Sequence, residues 1–411
     1  RRWHGNNTSF VNENKQSLNT HIVLTHALER MRLADEWEVY APDSNQPRKV
    51  SYRRKNPTTN VFFFPDYRKS NIYQNLLYSH LPDNYALYSG DIGDALQAIR
   101  DGIGKVVFHL HWTNYILREA NNLEDAERLK NIFLKKLFEF LAAGGSLIWT
   151  IHNVLPHDCL YLKQEIELRN IICIAASKIH IHSASSLPEI KKHLNVPSEK
   201  VAVVPHGNYV GVYPNLITKE EARKNFGFTP EQIIFLFLGQ IRKYKGIEDL
   251  LVAFNQVQQK FSHTHLLIAG QSKHQINFQK LNIELDVQQK ITLIERYIPD
   301  HELQLFFNAA DVTVLPYKKI LTSGSLLNAM SFNCPVIAPR VGMTEEIIRD
   351  GYNGFLYELG NTKSLVQSML KMACLEYHEK NILFQKSFES IQSLTWDKTA
   401  INILREFHNG G

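Results

Sequence analysis

The 411 residues predict an α/β protein made of two Rossmann-like domains, each a doubly wound parallel sheet. Three observations carry this expectation. Short apolar runs alternate with longer amphipathic stretches, the order that gives a parallel sheet covered by helices. The runs are apolar at consecutive positions, as strands buried on both faces must be. The alternation also occurs twice, on either side of a stretch at 205–215 rich in Pro, Gly and Asn.

In the first series, strands are expected at 60–65, 85–88, 106–111, 146–151 and 178–182, with helices at 71–80, 124–143 and 160–175. In the second, strands fall at 233–238, 265–269, 291–294, 311–315 and 335–338, with helices at 247–261, 300–309 and 323–332. Residues 364–407 read as helical, with Trp396 near a helix start. The chain thus divides into an extra N-terminal segment or first β-α element (1–59), a first domain (60–210), a second domain (211–390) and a terminal helix returning to the first domain (391–411).

Composition narrows the classes of function. With 44% hydrophobic and 21% charged residues, the chain has ordinary globular composition, which argues against extensive disorder. Its net charge of +5 is too mild to demand nucleic acid as a partner. The four cysteines (Cys159, Cys173, Cys334 and Cys374) form no C-x-x-C pair and suit buried free thiols in a reducing compartment. No run of about 18 apolar residues predicts a membrane span, and no signal-peptide pattern follows Arg1. The expectation is a soluble, cytoplasmic protein. One basic run, Arg48, Lys49, Arg53, Arg54 and Lys55, reads either as a solvated loop or as a contact with anionic lipid at the inner face of the plasma membrane.

Ligands of open α/β sheets bind beyond the carboxyl ends of the strands, so the polar residues there are the informative ones. After the strand ending at Leu238, Gly239 opens a loop that brings Arg242 and Lys245 together before Gly246 starts a helix. Two cations at that position suit a diphosphate and the charge that grows on a departing nucleotide; the plain alternative is an exposed Lys/Arg turn. Gly270 ends the next strand. Thr322, Ser323, Gly324 and Ser325 precede a helix, where free N–H groups and hydroxyls make an anion site or a Ser simply caps the helix. In the first domain, His111, Asn114, His152 and Asn153 follow strands. His152 reads as a ligand of sugar or acceptor hydroxyl, as a base, or as a satisfied core imidazole. His109 and His111 share one side of a strand and with His152 imitate a metal site, but no carboxylate completes a set. No metal site is therefore expected.

Together these segments resemble the GT-B glycosyltransferases, specifically those similar to family four (group 1 type). The resemblance rests on Phe237-Leu-Gly-Gln-Ile-Arg-Lys-Tyr-Lys-Gly-Ile247, Ala309-Ala-Asp-Val-Thr-Val-Leu-Pro316 and Leu327-Asn-Ala-Met-Ser-Phe-Asn-Cys-Pro-Val-Ile-Ala338, supported by Gly342-Met-Thr-Glu-Glu-Ile and Asp350-Gly-Tyr-Asn-Gly-Phe355. It implies two facing domains with the active site between them. A nucleoside-diphosphate sugar, UDP- or GDP-linked, would bind mainly to the second domain and a glycan or lipid-linked acceptor mainly to the first. It also implies no cofactor and no metal, Arg242 and Lys245 as the phosphate pair, His152 beside the donor sugar, and the backbone before Ile298 around the base. A role in bacterial surface polysaccharide synthesis, with hexosyl transfer, is the implied activity.

One departure stands out. Where the resemblance calls for Glu-x7-Glu, this chain has Ile320 and Asn328. Asn328 can still bond ribose hydroxyls, but Ile320 cannot replace a carboxylate that contacts the sugar. That substitution motivates a rival reading as a catalytically inert nucleotide-sugar binder or partner subunit. A nicotinamide-linked dehydrogenase is set aside, because no G-x-G-x-x-G follows any expected strand.

Overall fold

The computed structural model describes residues 58–409, except 70, 83, 156–158, 273–280 and 282, together with two strands at Glu38–Val39 and Val50–Tyr52. The basic run from Arg48 to Lys55 lies outside the described residues.

The first sheet has eight strands: β1 (Glu38–Val39), β2 (Val50–Tyr52), β3 (Thr59–Phe64), β4 (Tyr85–Ser89), β5 (Lys105–Leu110), β6 (Ser146–Thr150), β7 (Lys178–Ile181) and β8 (Val201–Val203), in the order β1-β2-β4-β3-β5-β6-β7-β8. Strands β3 to β8 pair in parallel. The departure from an all-parallel sheet is at one edge, where β1 and β2 add antiparallel strands. The second sheet is parallel throughout: β9 (Ile233–Leu238), β10 (Thr264–Ala269), β11 (Ile291–Ile294), β12 (Val312–Val314), β13 (Val336–Pro339) and β14 (Gly354–Tyr357), in the order β11-β10-β9-β12-β13-β14. Both β9 and β10 are buried at every position, as strands sandwiched between helix layers must be.

In each sheet the chain winds outward from one strand in both directions, which opens a crevice beyond the carboxyl ends where the direction reverses. In the second domain that crevice lies between β9 and β12, and in the first between β3 and β5. The helix Ile247–Lys260 covers β9 with Leu250, Leu251, Phe254 and Val257. The terminal helix Trp396–Asn409 packs on the helix Tyr73–Tyr78 of the first domain. Its Phe407 ring lies 5.6 Å from that of His109, and Glu406 pairs with Lys178 at 3.4 Å. Between the domains, the Ser185 N–H and hydroxyl donate to Glu346 at 2.6 and 2.8 Å.

All four cysteines are unpaired. Cys173 and Cys334 are buried as expected, whereas Cys159 is half-buried and Cys374 exposed, because the latter sits on the solvent side of its amphipathic helix Thr362–Cys374. Among the described residues no helix is long and apolar enough to cross a membrane.

Candidate functional site

A cavity of about 740 Å³ opens at the carboxyl end of the first sheet. His111, Asn114 and Asn153, the three residues expected on the acceptor side, line it, and so does His152, expected beside the donor sugar. Gln240 and Tyr244 reach it from the turn after β9, so both domains contribute walls. The two loops that carry the histidines are braced from behind. A buried ion pair joins Arg169 Nε to Glu165 at 2.8 Å, and Glu165 also accepts from the Thr113 hydroxyl. Arg169 Nη1 donates to the carbonyls of Asn153 and Val154 at 2.8 and 2.6 Å. These contacts compensate part of the desolvation of the pair, which a buried pair needs in order to be tolerated.

Arg242 and Lys245 share the turn that carries Gln240 and Tyr244 but are not among the residues lining the cavity; the turn is held by backbone contacts. Lys318 N–H donates to the Tyr244 carbonyl at 2.8 Å, and Lys245 Nζ lies 3.7 Å from the centre of the Tyr317 ring. Gly246 has φ of +68°, and a Cβ there would come within 1.8 Å of the Pro316 carbonyl oxygen, so only glycine allows the turn to close on the segment after β12. Gly239 and Gly270 abut in the same way: a Cβ on Gly270 would meet the Gly239 oxygen at 1.9 Å.

That segment leads to the helix Gly324–Ser331. Ser323 is its N-cap, and its hydroxyl accepts from Leu326 N–H at 3.1 Å, which realises the plain capping role. Thr322 Oγ1, Asn328 Oδ1 and Tyr317 Oη are buried atoms with no hydrogen-bond partner among the described residues. Buried polar atoms are ordinarily satisfied, and these three lie on the segment between β12 and the end of that helix, with the Tyr317 ring against Lys245 Nζ. Ser325 follows Gly324 on the first turn. Ile298 is a buried member of the second domain's core. Ile320 also packs against that core, so no carboxylate occupies its place.

A row of rings connects this helix start to His152. A Cβ on Gly324 would lie 3.1 Å from Tyr209 Oη. The Tyr209 ring is 5.8 Å from His206, His206 is 5.1 Å from Tyr73, and Tyr73 meets His152 edge-on at 4.9 Å. His152 stacks on Trp112 at 4.1 Å and bonds His111 at 3.0 Å. Six imidazoles (His109, His111, His152, His180, His182 and His206) thus gather beneath the cavity, all buried. Burial, then mutual repulsion, holds His109, His111 and His152 well below the ordinary histidine value. The same causes push His180 and His206 down to about 3, and burial pushes His182 down to about 4. Five of the six rings bond to neighbours, His180 having no hydrogen-bond partner among the described residues, and among those residues no group of three or more His, Cys, Asp or Glu side chains is set to hold a metal.

Sequence reasoning missed His180, His182, His206, Tyr73, Tyr78, Glu165 and Arg169. A signal existed: His180-x-His182 repeats the spacing of His109-x-His111 on a strand, and His206 follows β8.

Residues 218–382 match the family model described as glycosyl transferases group 1. Over 303 residues the chain is 27% identical to GDP-mannose:glycolipid 4-beta-D-mannosyltransferase of Xanthomonas campestris pv. campestris, covering 73% of this chain and 79% of that one. It is 27% identical over 228 residues to the D-inositol 3-phosphate glycosyltransferase of Pseudarthrobacter chlorophenolicus, covering 52% and 54% of the two chains. Its fold is that of the sucrose-phosphate synthase of Thermosynechococcus elongatus, with a TM-score of 0.60 at 16% identity over 86% of this chain and 98% of that one. The Anabaena protein HepE, solved with UDP and glucose, superimposes with a TM-score of 0.61 at 13% identity over 86% and 100%.

Proposed function

We propose that this chain is a GT-B glycosyltransferase of the group 1 kind that moves a hexosyl group from a nucleoside-diphosphate sugar to a hydroxyl of a lipid-linked glycan. In this reading residues 211–390 hold the donor and residues 60–210 the acceptor, while 391–411 return to the first domain. Arg242 and Lys245 bind the diphosphate. Cleavage of the sugar–phosphate bond adds negative charge to the leaving group, and fixed cations there stabilise the transition state more than the ground state. The N–H groups of Gly324 and Ser325 face the same anion. Asn328 bonds the ribose, the backbone before Ile298 surrounds the base, and the close backbone approach at Gly239 and Gly270 leaves room for the nucleotide. His111, Asn114 and Asn153 line the acceptor's place, and His152 touches the transferred sugar or the acceptor.

The observation that carries this reading is the trio of buried, unpartnered atoms, Tyr317 Oη, Thr322 Oγ1 and Asn328 Oδ1, beside the Lys245 turn. The glycolipid in the name of the Xanthomonas relative motivates the lipid-linked acceptor, and its GDP-mannose motivates a GDP-sugar ahead of a UDP-sugar. A thermal-shift panel of UDP, GDP, CMP and ADP reads the base directly. Stabilisation by GDP supports the donor assigned here, stabilisation by UDP replaces it, and no shift with any nucleotide sinks the donor site. Contact of the run Arg48–Lys55 with anionic lipid would hold the enzyme near such an acceptor. Loss of binding to anionic vesicles at low salt on charge reversal of the run is the expected result, and unchanged binding would overturn that contact.

A further inference from the structure

Five buried polar side chains form one hydrogen-bonded line from the interior of the first sheet to the floor of the cavity. Thr150 Oγ1 meets His109 Nε2 at 2.8 Å, and His109 Nδ1 meets Tyr78 Oη at 2.8 Å. Tyr78 Oη meets His111 Nε2 at 2.7 Å, and His111 Nδ1 meets His152 Nε2 at 3.0 Å. Burial and the neighbouring rings hold all three imidazoles well below the usual histidine range, so they are neutral near pH 7.

A neutral imidazole has one donor and one acceptor nitrogen, and a hydroxyl has one hydrogen. Each of the four junctions takes one hydrogen, and Tyr78 can donate to only one of its two histidines. Were Tyr78 to accept from both, its own hydrogen would be buried with no acceptor among the described residues, so the line runs in a single direction. If it ran toward Thr150, the Thr150 oxygen would accept from His109, and its own hydrogen would be buried with no acceptor, since His109 is the only side-chain partner of Thr150 among the described residues. A buried donor left unmade costs the full desolvation of that group. If the line runs from Thr150 toward the cavity, every donor meets an acceptor. The last N–H, on Nδ1 of His152, is then the one ring nitrogen of this line without a partner among the described residues, on a residue that lines the cavity. Trp112 stacked at 4.1 Å and Tyr73 edge-on at 4.9 Å prevent the His152 ring from flipping to exchange its nitrogens.

We infer that Thr150, His109, Tyr78 and His111 are positioning residues that fix His152 as its Nδ1–H tautomer, so that it meets bound substrate as a hydrogen-bond donor to an oxygen and not as the base that takes the acceptor's proton. This rests on the reading of the cavity as the place of sugar transfer. His152 Nδ1 already carries hydrogen and Nε2 is occupied by His111, so neither nitrogen is open to a proton from the acceptor.

The test begins without substrate. Two-bond 15N–1H correlation spectra of the full chain near pH 7.5 report which nitrogen of His152 is protonated. Protonated Nδ1 with an accepting Nε2 is expected, and the reverse overturns the inference whatever the activity. Tyr78→Phe breaks the line at its centre; it should give His152 as a mixture of tautomers and lower kcat by about tenfold, with KM for the donor little changed. Unchanged tautomer and kcat would overturn the positioning role. Thr150→Ser, which keeps the hydroxyl, should retain natural behaviour in both readouts, whereas Thr150→Val should lose it. The isosteric pair His152→Asn and His152→Asp separates donor from base: an amide that can donate should retain at least about tenfold more turnover than a carboxylate that only accepts. More turnover in the Asp variant would overturn the inference. Absence of sugar transfer in the natural protein would instead count against the proposed function, and the spectra would still decide the tautomer.

Discussion

The six buried imidazoles make this fold sensitive to mild acid in a way that can be worked out. Each histidine keeps a folded-state pKa below the value of about 6.5 that it has in an unfolded chain, with His182 at about 4 and His180 and His206 at about 3. The unfolded chain therefore binds more protons across this window, and stability rises with pH. The contribution is fully present above about pH 6.5 and is lost as pH falls toward the folded values. At pH 5.5 each unfolded histidine gains about 1.4 kcal/mol from protonation that the folded ring forgoes, against about 0.2 kcal/mol at pH 7. The rings that stay neutral in the fold act in the same direction between those pH values, against a total stability of about 5 to 15 kcal/mol for an ordinary domain. Urea unfolding followed by tryptophan fluorescence at pH 8, 7, 6 and 5.5 should show the midpoint collapse over the last two steps. His180 supplies the control, because neither of its ring nitrogens has a partner. His180→Leu should be neutral or stabilising at pH 7 and should remove about 1.4 kcal/mol per pH unit from the slope at low pH. A midpoint unchanged from pH 8 to 5.5, or a slope indifferent to His180→Leu, would refute the reasoning.

Three further outcomes are expected. Lys245→Ala should lower turnover by about 10²- to 10³-fold while its melting temperature stays near that of the natural protein, since the loss falls on the leaving group; Arg242→Lys should be impaired as well, because an ammonium cannot copy a two-pronged guanidinium contact. Gly246→Ala should destabilise the second domain by about 1 to 3 kcal/mol in urea unfolding, from its positive φ and the clash with the Pro316 oxygen. Glu165→Ala should cost about 3 to 5 kcal/mol by stranding the buried Arg169, and should loosen the acceptor loops so that KM for acceptor rises.

Much of the second domain was legible in the sequence because its strands are apolar at consecutive positions and its turn after β9 concentrates glycine and cations in a few residues. Short strands escaped: β8 has three residues and carries weak burial, and Gly354–Tyr357 of β14 opens on a glycine that masks its pattern. The antiparallel edge strands β1 and β2 are two and three residues long, too short for alternation to show. The cap at Ser323 was one of two readings of its segment, but the orphaned oxygens of Thr322 and Asn328 were invisible, because satisfaction is a property of neighbours in space. The histidine gathering was half visible. Two H-x-H pairs can be read along the chain, but their convergence with His152 and His206 needs the sheet order β5-β6-β7-β8, which places four strand ends side by side. The brace from Glu165 and Arg169 looked like an ordinary i,i+4 helix pair; only burial distinguishes it.

The central claim, that a nucleotide-bound sugar leaves from a diphosphate held by Arg242 and Lys245, is tested most directly by transfer of label from a GDP- or UDP-sugar to a lipid-linked glycan. The measurement compares the natural protein with Lys245→Ala, at equal folded concentration. The account predicts label in the acceptor with the natural protein, and a rate about 10² to 10³ lower with the variant despite a normal melting temperature. Equal rates in the two proteins, or nucleotide binding by the natural protein with no label transferred from either donor, would contradict it.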